Sequence, residues 1–233
     1  VQSENDLKFF PLKRLQRLAF RRLAAPRLEG LVLDIGAGHG PYHGEAPRAH
    51  FVSLDYLPAP VVQVIGSALA LPFQDGCFDG VVMTETLEHI PRPQAALAEA
   101  ARILKPGGWL YLTAPQMWPL HYEPHDYFRF TRYGLAALAA SLGLAVVALE
   151  PVGGLYTFLF SRLGEKLVKL VVGLLGWLPR PRRWQVAGVL LTPVQLCLAF
   201  LACGLDRLSF RDVVGWALLA RKGEGKESHV QEG

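Results

Sequence analysis

Leu31-Val32-Leu33-Asp34-Ile35-Gly36-Ala37-Gly38-His39-Gly40 is the stretch that decides the fold. It is a short apolar run that carries one acid and then breaks into alternating glycines. An apolar run of this length suits a strand buried on both faces, as in a parallel sheet. The glycines suit a tight turn whose backbone approaches a ligand closely, because no Cβ stands in the way. The next apolar run, Phe51-Val52-Ser53-Leu54-Asp55, again ends in an acid, and Asp55 lies 19 residues after Gly36. An acid at the tip of a second strand stands where a ribose attached to the first turn's ligand arrives. A carboxylate accepts from both vicinal hydroxyls in one geometry, which explains the residue type.

The pattern continues outward from there. Val61–Ile65 reads as a third strand, Gln74-Asp75-Gly76 as a turn, and Phe78–Met83 as a fourth strand. Pro93–Leu104 has helical spacing, with Leu97, Ala101 and Leu104 on one face. Lys105-Pro106-Gly107-Gly108 reads as its stop signal. Trp109–Thr113 is a fifth strand, 132–143 a helix ending at Gly143, and Leu144–Leu149 a sixth strand. Strands alternating with helices at this spacing imply an α/β chain with a doubly wound, mostly parallel sheet.

The chain has 233 residues, 51% of them hydrophobic and 19% charged, enough apolar material for a sizeable core. Its net charge of +4 is concentrated. Lys8, Lys13, Arg14, Arg17, Arg21, Arg22 and Arg27 fall in one acid-free segment, so the remainder is net acidic. That distribution excludes a protein that wraps nucleic acid with its whole surface. Residues 11–25 read as a helix with Pro11 at its start and Leu12, Leu15, Leu18 and Leu23 on one face. Such a basic amphipathic helix packs on its domain or rests on an anionic membrane surface. Cys77, Cys197 and Cys203 have no Cys-x-x-Cys spacing, which argues against a disulfide framework and is compatible with a reducing cytoplasm. No secretory signal is visible ahead of the first strand.

Val32–Gly40, Leu71-Pro72-Phe73, Phe78-Asp79, Leu87-Glu88-His89-Ile90 and Arg102–Gly108 occur in that order. Together they resemble the class I S-adenosylmethionine-dependent methyltransferases, specifically the type 11 methyltransferase domain, over residues 28–150 and a last strand near 213–221. The resemblance implies a Rossmann-like seven-stranded sheet with its last strand antiparallel, and S-adenosyl-L-methionine as cofactor. It implies that Asp34, Gly36, Ala37 and Gly38 line the amino acid moiety, that Asp55 binds the ribose, and that Tyr56 lies beside the adenine. Ser67, Ala68 and Leu69 would border the adenine edge, with Thr84 and Glu85 near the sulfonium. Ser67 stands where the family commonly has Asp, so the carboxylate acceptor for the adenine amino group is given up. A nicotinamide dinucleotide uses the same fold, but its fingerprint needs Gly or Ala where this chain has Pro41, whose ring obstructs close helix–strand packing.

Methyl transfer is an in-line displacement that depends on alignment, and a general base is needed only where the acceptor must lose a proton. Ligands of such sheets bind beyond the carboxyl ends of the strands. Glu85, with Glu88-His89, follows strand four, and His121–Thr131, dense in titratable and aromatic residues, follows strand five. The candidate catalytic residues are His125 first, then His89 and Glu85, histidine being the natural base near neutral pH. The same cluster also reads as a packed connection in which Arg129 pairs with Asp126 and Thr131 caps the next helix. His121, Glu123 and His125 offer metal-ligand atoms, but no second cluster accompanies them, and no metal is expected.

Between the sixth strand and Asp212–Arg221 lies a hydrophobic insert expected to form a helical hairpin over 155–205. Val186–Leu205 is twenty residues without a formal charge, long enough to span a bilayer. The last strand must nevertheless return to the same sheet, the first apolar half is short, and Arg180, Arg182 and Arg183 sit at the tip. A hairpin lying in the membrane interface, or one covering the cleft or a second copy of the chain, fits better. Trp177 and Trp184 flank the basic tip. The expected organisation is thus a basic helix over 1–27, a methyltransferase domain over 28–154 and 206–222, the hairpin over 155–205, and a disordered tail over 223–233. The expected function is methylation of a small-molecule or lipid-linked acceptor, not nucleic acid, in the cytoplasm or at the inner membrane face. The other class of answer is a non-catalytic, membrane-attached module that keeps the fold.

Overall fold

The computed structural model describes residues 10–208 and 212–224. Its elements, in order, are α1 (Phe10–Leu23), β1 (Gly30–Ile35), β2 (Ala49–Asp55), β3 (Val64–Ile65), β4 (Phe78–Thr84), α2 (Pro93–Ile103) and β5 (Leu104–Pro115). They continue with α3 (Arg132–Ser141), β6 (Leu144–Gly154), α4 (Leu155–Leu174), α5 (Arg180–Leu205) and β7 (Val213–Lys222). The seven strands form one sheet in the order β3-β2-β1-β4-β5-β7-β6, with the last strand antiparallel. β1 lies parallel to both β2 and β4, with Ile35 level with Leu54 on one side and Met83 on the other. The carboxyl ends of these three strands therefore finish side by side, next to the point where the strand order reverses.

The elements follow the residues that were expected to make them, with differences at the ends. Helix α1 runs over 10–23 instead of 11–25, and β3 is only Val64–Ile65 instead of the five residues from Val61. Lys105–Gly108 does not lie in a loop after α2. The chain enters β5 directly at Leu104, which pairs with Phe78, and the register shifts between Phe78 and Gly80. A Cβ on Gly108 would fall 2.9 Å from the Lys105 carbonyl and 3.1 Å from the Asp79 carbonyl, so the glycine is needed by a strand irregularity. The carbonyls at the end of α2 are satisfied instead by Lys222 of β7, whose Nζ donates to Ala101 O and Leu104 O, each at 2.7 Å. Thr131 caps α3, its hydroxyl accepting from Gly134 N at 3.1 Å, as its position predicted. β6 extends to Gly154, beyond the expected Leu149, and passes into α4 without a loop.

The described residues divide into two units. One comprises Phe20–Pro115, Pro119–Glu150 and the chain from Ala217. It contains most of the sheet, with Val32, Leu33, Val81, Val82, Leu110 and Tyr111 fully buried. The other comprises the chain up to Ala19, Gln116–Trp118 and Pro151–Trp216 and is dominated by α4 and α5. These two helices, Leu155–Leu174 and Arg180–Leu205, pack against each other. Asp206, just past α5, caps the start of α4 by accepting from Gly154 N at 2.9 Å and Tyr156 N at 2.8 Å. The tail expected to be disordered falls, from residue 225, outside the described residues, as does the N-terminal segment before Phe10.

Candidate functional site

At the end of β1 the backbone turns through Gly36 (φ +73°) and Gly38 (φ +51°), both in the left-handed region that glycine enters without penalty. Gly36 N donates to Leu54 O at 2.8 Å and Ala37 N to the same carbonyl at 3.2 Å, fastening the turn to β2. Asp55 then reaches back: its Oδ2 accepts from Gly38 N at 2.9 Å and its Oδ1 from Leu57 N at 3.0 Å. The two motifs that stood 19 residues apart in the chain are thus in direct contact.

Asp34 is 2% exposed, and its Oδ2 lies 2.9 Å from His43 Nε2. Burial pushes its carboxyl above the usual carboxylate range, and the hydrogen bond to His43 opposes that shift. His43 in turn stacks on Phe51, ring centroids 4.3 Å apart. This histidine was not singled out in the sequence, because nothing local links it to Asp34. Gly66 N donates to Asp55 O at 3.0 Å, which sets Ser67, Ala68 and Leu69 beside the tip of β2. Ser67 Oγ is engaged locally by Leu69 N at 3.2 Å. Tyr56 is largely exposed.

Thr84 ends β4, and Glu85 follows it at φ +50°. Glu85 N donates to both the carbonyl and the hydroxyl of Thr113, each at 3.1 Å. The Thr86 hydroxyl bridges Thr84 O at 3.0 Å and Ile35 O at 3.3 Å, tying the β4 tip to the glycine turn. All the residues proposed for the cofactor therefore lie at the carboxyl ends of β1 to β4. They fit a nucleoside-bearing sulfonium in one checkable respect: a Cβ on Gly38 would meet nothing within 4 Å, so the turn borders open space.

The second group is built from the short 3-10 turn Leu87–His89 and the loop after β5. Tyr127 N donates to Glu88 O at 2.9 Å, and His89 Nδ1 donates to His125 O at 2.7 Å, which clamps the two segments together. Of the three catalytic candidates, His89 and His125 are brought together, but through the His125 carbonyl. The His125 ring points elsewhere, with Nδ1 2.9 Å from the Tyr127 hydroxyl on an exposed surface. Arg129 holds Asp126 with two bonds of 2.7 Å, as expected, and Asp126 also accepts from His121 N at 2.9 Å. The Arg129 guanidinium holds the Asp126 carboxyl well below the usual carboxylate range.

Glu88 is completely buried, and among the described residues neither of its carboxylate oxygens has a hydrogen-bond partner. Burial, with Glu85 nearby, pushes its carboxyl well above the usual range. Burial also lowers the neighbouring His89 imidazole. The burial of Glu88 was not visible in the sequence, where nothing local states what packs over it.

Residues 33–112 match the family model described as a methyltransferase domain. The chain is similar to the ubiquinone/menaquinone biosynthesis C-methyltransferase UbiE of Roseobacter denitrificans. The two are 32% identical over 126 residues, 46% of this chain and 50% of that one. The chain thus spans about half the length of the relatives it matches. Among solved structures it is similar to the [4+2]-cyclase SpnF, with a TM-score of 0.58 and 18% identity, over 91% of this chain and 81% of that one. It is also similar to the Burkholderia thailandensis 1,6-didemethyltoxoflavin-N1-methyltransferase, solved with S-adenosylhomocysteine. That TM-score is 0.55 at 16% identity, over 91% of this chain and 78% of that one. At these identities the two structures speak for the fold only. The family match over residues 33–112 and the fold together support a class I S-adenosylmethionine-dependent methyltransferase domain in this chain, a kind of domain whose cofactor is S-adenosyl-L-methionine.

Proposed function

We propose that this chain transfers a methyl group from S-adenosylmethionine to a small apolar or lipid-linked acceptor at a membrane surface. When bound, the cofactor supplies an electrophilic methyl on a sulfonium, and displacement from it depends chiefly on alignment of donor and acceptor. Gly36, Ala37 and Gly38 let the backbone approach the amino acid moiety, with Asp34 beneath them. Asp55 has the acceptor capacity for a ribose diol beyond the two backbone bonds it already takes. Tyr56, Ser67, Ala68 and Leu69 border the adenine, and Thr84 and Glu85 the reacting end. Where the acceptor must lose a proton, Glu85 and His125 are the candidate bases on the loops that follow β4 and β5.

The observation that carries the acceptor class is the burial pattern of the α4–α5 hairpin, which is inverted relative to a soluble one. The buried residues of α4 are Thr157, Ser161, Gly164, Glu165 and Val168, and those of α5 are Ala187, Gln195, Ala199 and Ala202. Val171, Val172, Leu175, Trp184 and Leu191 pack around Val168 and Ala187, but many of the other large apolar side chains are exposed. Leu159, Leu163, Leu170 and Leu174 follow one another at near-helical spacing on α4, and Val189, Leu190, Val194, Leu201 and Phe200 (82% exposed) do so on α5. Only 22% of the most apolar stretch of α5 is buried. Helices that bury small and polar residues and leave much of their large apolar surface outside pack as helices do when lipid is the solvent. Arg180, Arg182, Arg183 and the exposed Trp177 at the tip suit anionic headgroups. The relative's name, a C-methyltransferase of quinone biosynthesis, points to the same kind of acceptor. A second copy of the chain covering this face is the rival occupant.

Two measurements test the proposal. Calorimetry should show S-adenosylmethionine binding that Asp55→Ala weakens by roughly 10–150-fold, the worth of about 1.5–3 kcal/mol for hydrogen bonds to a charged group. No binding to the native chain would leave only a non-catalytic module. Vesicle flotation should bring the full chain up with anionic lipid. Failure to float, together with a stable dimer, would replace the membrane by a second copy.

A further inference from the structure

We propose that Glu88, His89 and His121 form a binding site for one divalent first-row metal ion of the zinc class. Each residue offers one ligand atom, and the three atoms lie within 4.8 Å of one another. The rings of His89 and His121 meet edge to face with centroids 4.7 Å apart. Their tautomers follow from their neighbours. His89 Nδ1 faces the His125 carbonyl at 2.7 Å, which can only accept, so Nδ1 carries the proton. His121 Nδ1 faces the Pro119 carbonyl at 3.1 Å and Asp126 Oδ2 at 3.2 Å, both acceptors, so it too carries the proton there. Both histidines are thereby left with an Nε2 lone pair.

The third member is the carboxylate of Glu88, fully buried, with neither oxygen hydrogen-bonded among the described residues. Its nearest basic atom is His89 Nε2 at 3.7 Å, too far for a hydrogen bond. With Glu88 ionised, three acceptor groups converge with no donor among them. A buried carboxylate in that state costs free energy unless something fills the role, and a cation held by Glu88 and the two part-buried imidazoles does so.

The supports are those of a metal site. A ligating histidine typically donates its other ring N–H to a carbonyl or carboxylate, which fixes ring orientation. His89 has the His125 carbonyl, and His121 has the Pro119 carbonyl and Asp126. Asp126 is itself anchored by the paired bonds from Arg129. Two imidazole nitrogens and one carboxylate oxygen suit zinc and its first-row neighbours, whereas calcium and magnesium prefer all-oxygen sets. Three protein ligands leave at least one coordination position open, for water or for an oxygen of a second ligand. His121 was recognisable in the sequence as a ligand candidate. The missing partners come from the other side of β5, on the turn after β4.

The site stands independently of the transferase reading, and its test needs no methyl donor. Zinc chloride is titrated calorimetrically into the full chain after chelator treatment, in a buffer that does not bind metal. The expected result is one equivalent bound, with binding weakened at least about 100-fold in both His121→Ala and Glu88→Gln and unchanged in His50→Ala, an exposed histidine. Zinc should raise the melting temperature of the native chain and of His50→Ala but not that of His121→Ala. His121 lies on a partly exposed loop, so this variant keeps the test readable if Glu88→Gln folds poorly. No heat and no melting shift with the native chain would overturn the site. One-equivalent binding that survives both ligand substitutions would do the same, by showing that the metal sits elsewhere.

Discussion

Replacing Gly36 by alanine is the sharpest probe of how the glycine turn after β1 is held. Two costs can be worked out separately. The backbone at +73° lies in the left-handed region, where a Cβ costs about 1–2 kcal/mol. That Cβ would also fall 2.4 Å from Thr86 Oγ1, 2.5 Å from its Cγ2 and 3.0 Å from its Cβ. Thr86 has little freedom to yield, because it is β-branched and its hydroxyl is bonded to Thr84 O and Ile35 O. Overpacking of this kind costs about 1–3 kcal/mol, so Gly36→Ala should destabilise the chain by about 2–5 kcal/mol. The double variant with Thr86→Ala removes the two closest atoms and keeps only the backbone cost. A double-mutant cycle should therefore return a favourable coupling of about 1–3 kcal/mol, after allowing about 1 kcal/mol for the lost hydroxyl bonds. Urea unfolding with linear extrapolation measures all four corners. A strictly additive cycle, or a single variant within about 0.5 kcal/mol of the native chain, would refute the packing account of the turn.

Other outcomes follow from the same geometry. Gly38→Ala meets nothing within 4 Å and should cost only the backbone term of about 1–2 kcal/mol, so it should be clearly milder than Gly36→Ala in the same assay. The Asp126 carboxyl is depressed below its ordinary value by Arg129, so its contribution to stability is complete above about pH 4 and is lost as the pH falls further. Asp126→Asn should flatten the fall in stability below about pH 4, and an unchanged acid slope would remove this pair from the account. In the hairpin, Leu190→Ser should reduce flotation with anionic vesicles while leaving the melting temperature near that of the native chain. Ala199→Leu, at a 5% exposed position of α5, should lower the melting temperature. The reverse ranking would mean that the hairpin is packed as a soluble one.

How much was legible beforehand differs from place to place. β1, β2 and β4 were readable because a strand buried on both faces is written as a local apolar run, and the Gly36–Gly38 turn because its composition is its function. Asp55 was readable through its distance from that turn. The start of β5 was not, since Pro106-Gly107-Gly108 is a helix stop by every local criterion. Only the pairing of Leu104 with Phe78 turns the segment into a strand. Likewise, Thr131 was recognisable as a cap, whereas Lys222, which satisfies the end of α2 from the last strand, carried no local sign.

The amino-acid sequence by itself determined the order of strands and helices, the glycine turn and the acid at the tip of the second strand, and the apolar character of the insert. Those properties are set by periodicity and by residues near one another in the chain. Only the tertiary structure decided that Gly38 and Asp55 touch, that Glu88 is buried beside His89 and His121, and that most of the buried residues of the hairpin are small or polar. Burial, proton placement and the facing of a helix depend on neighbours brought from distant segments, and one strand's sequence cannot state what the next will place against it.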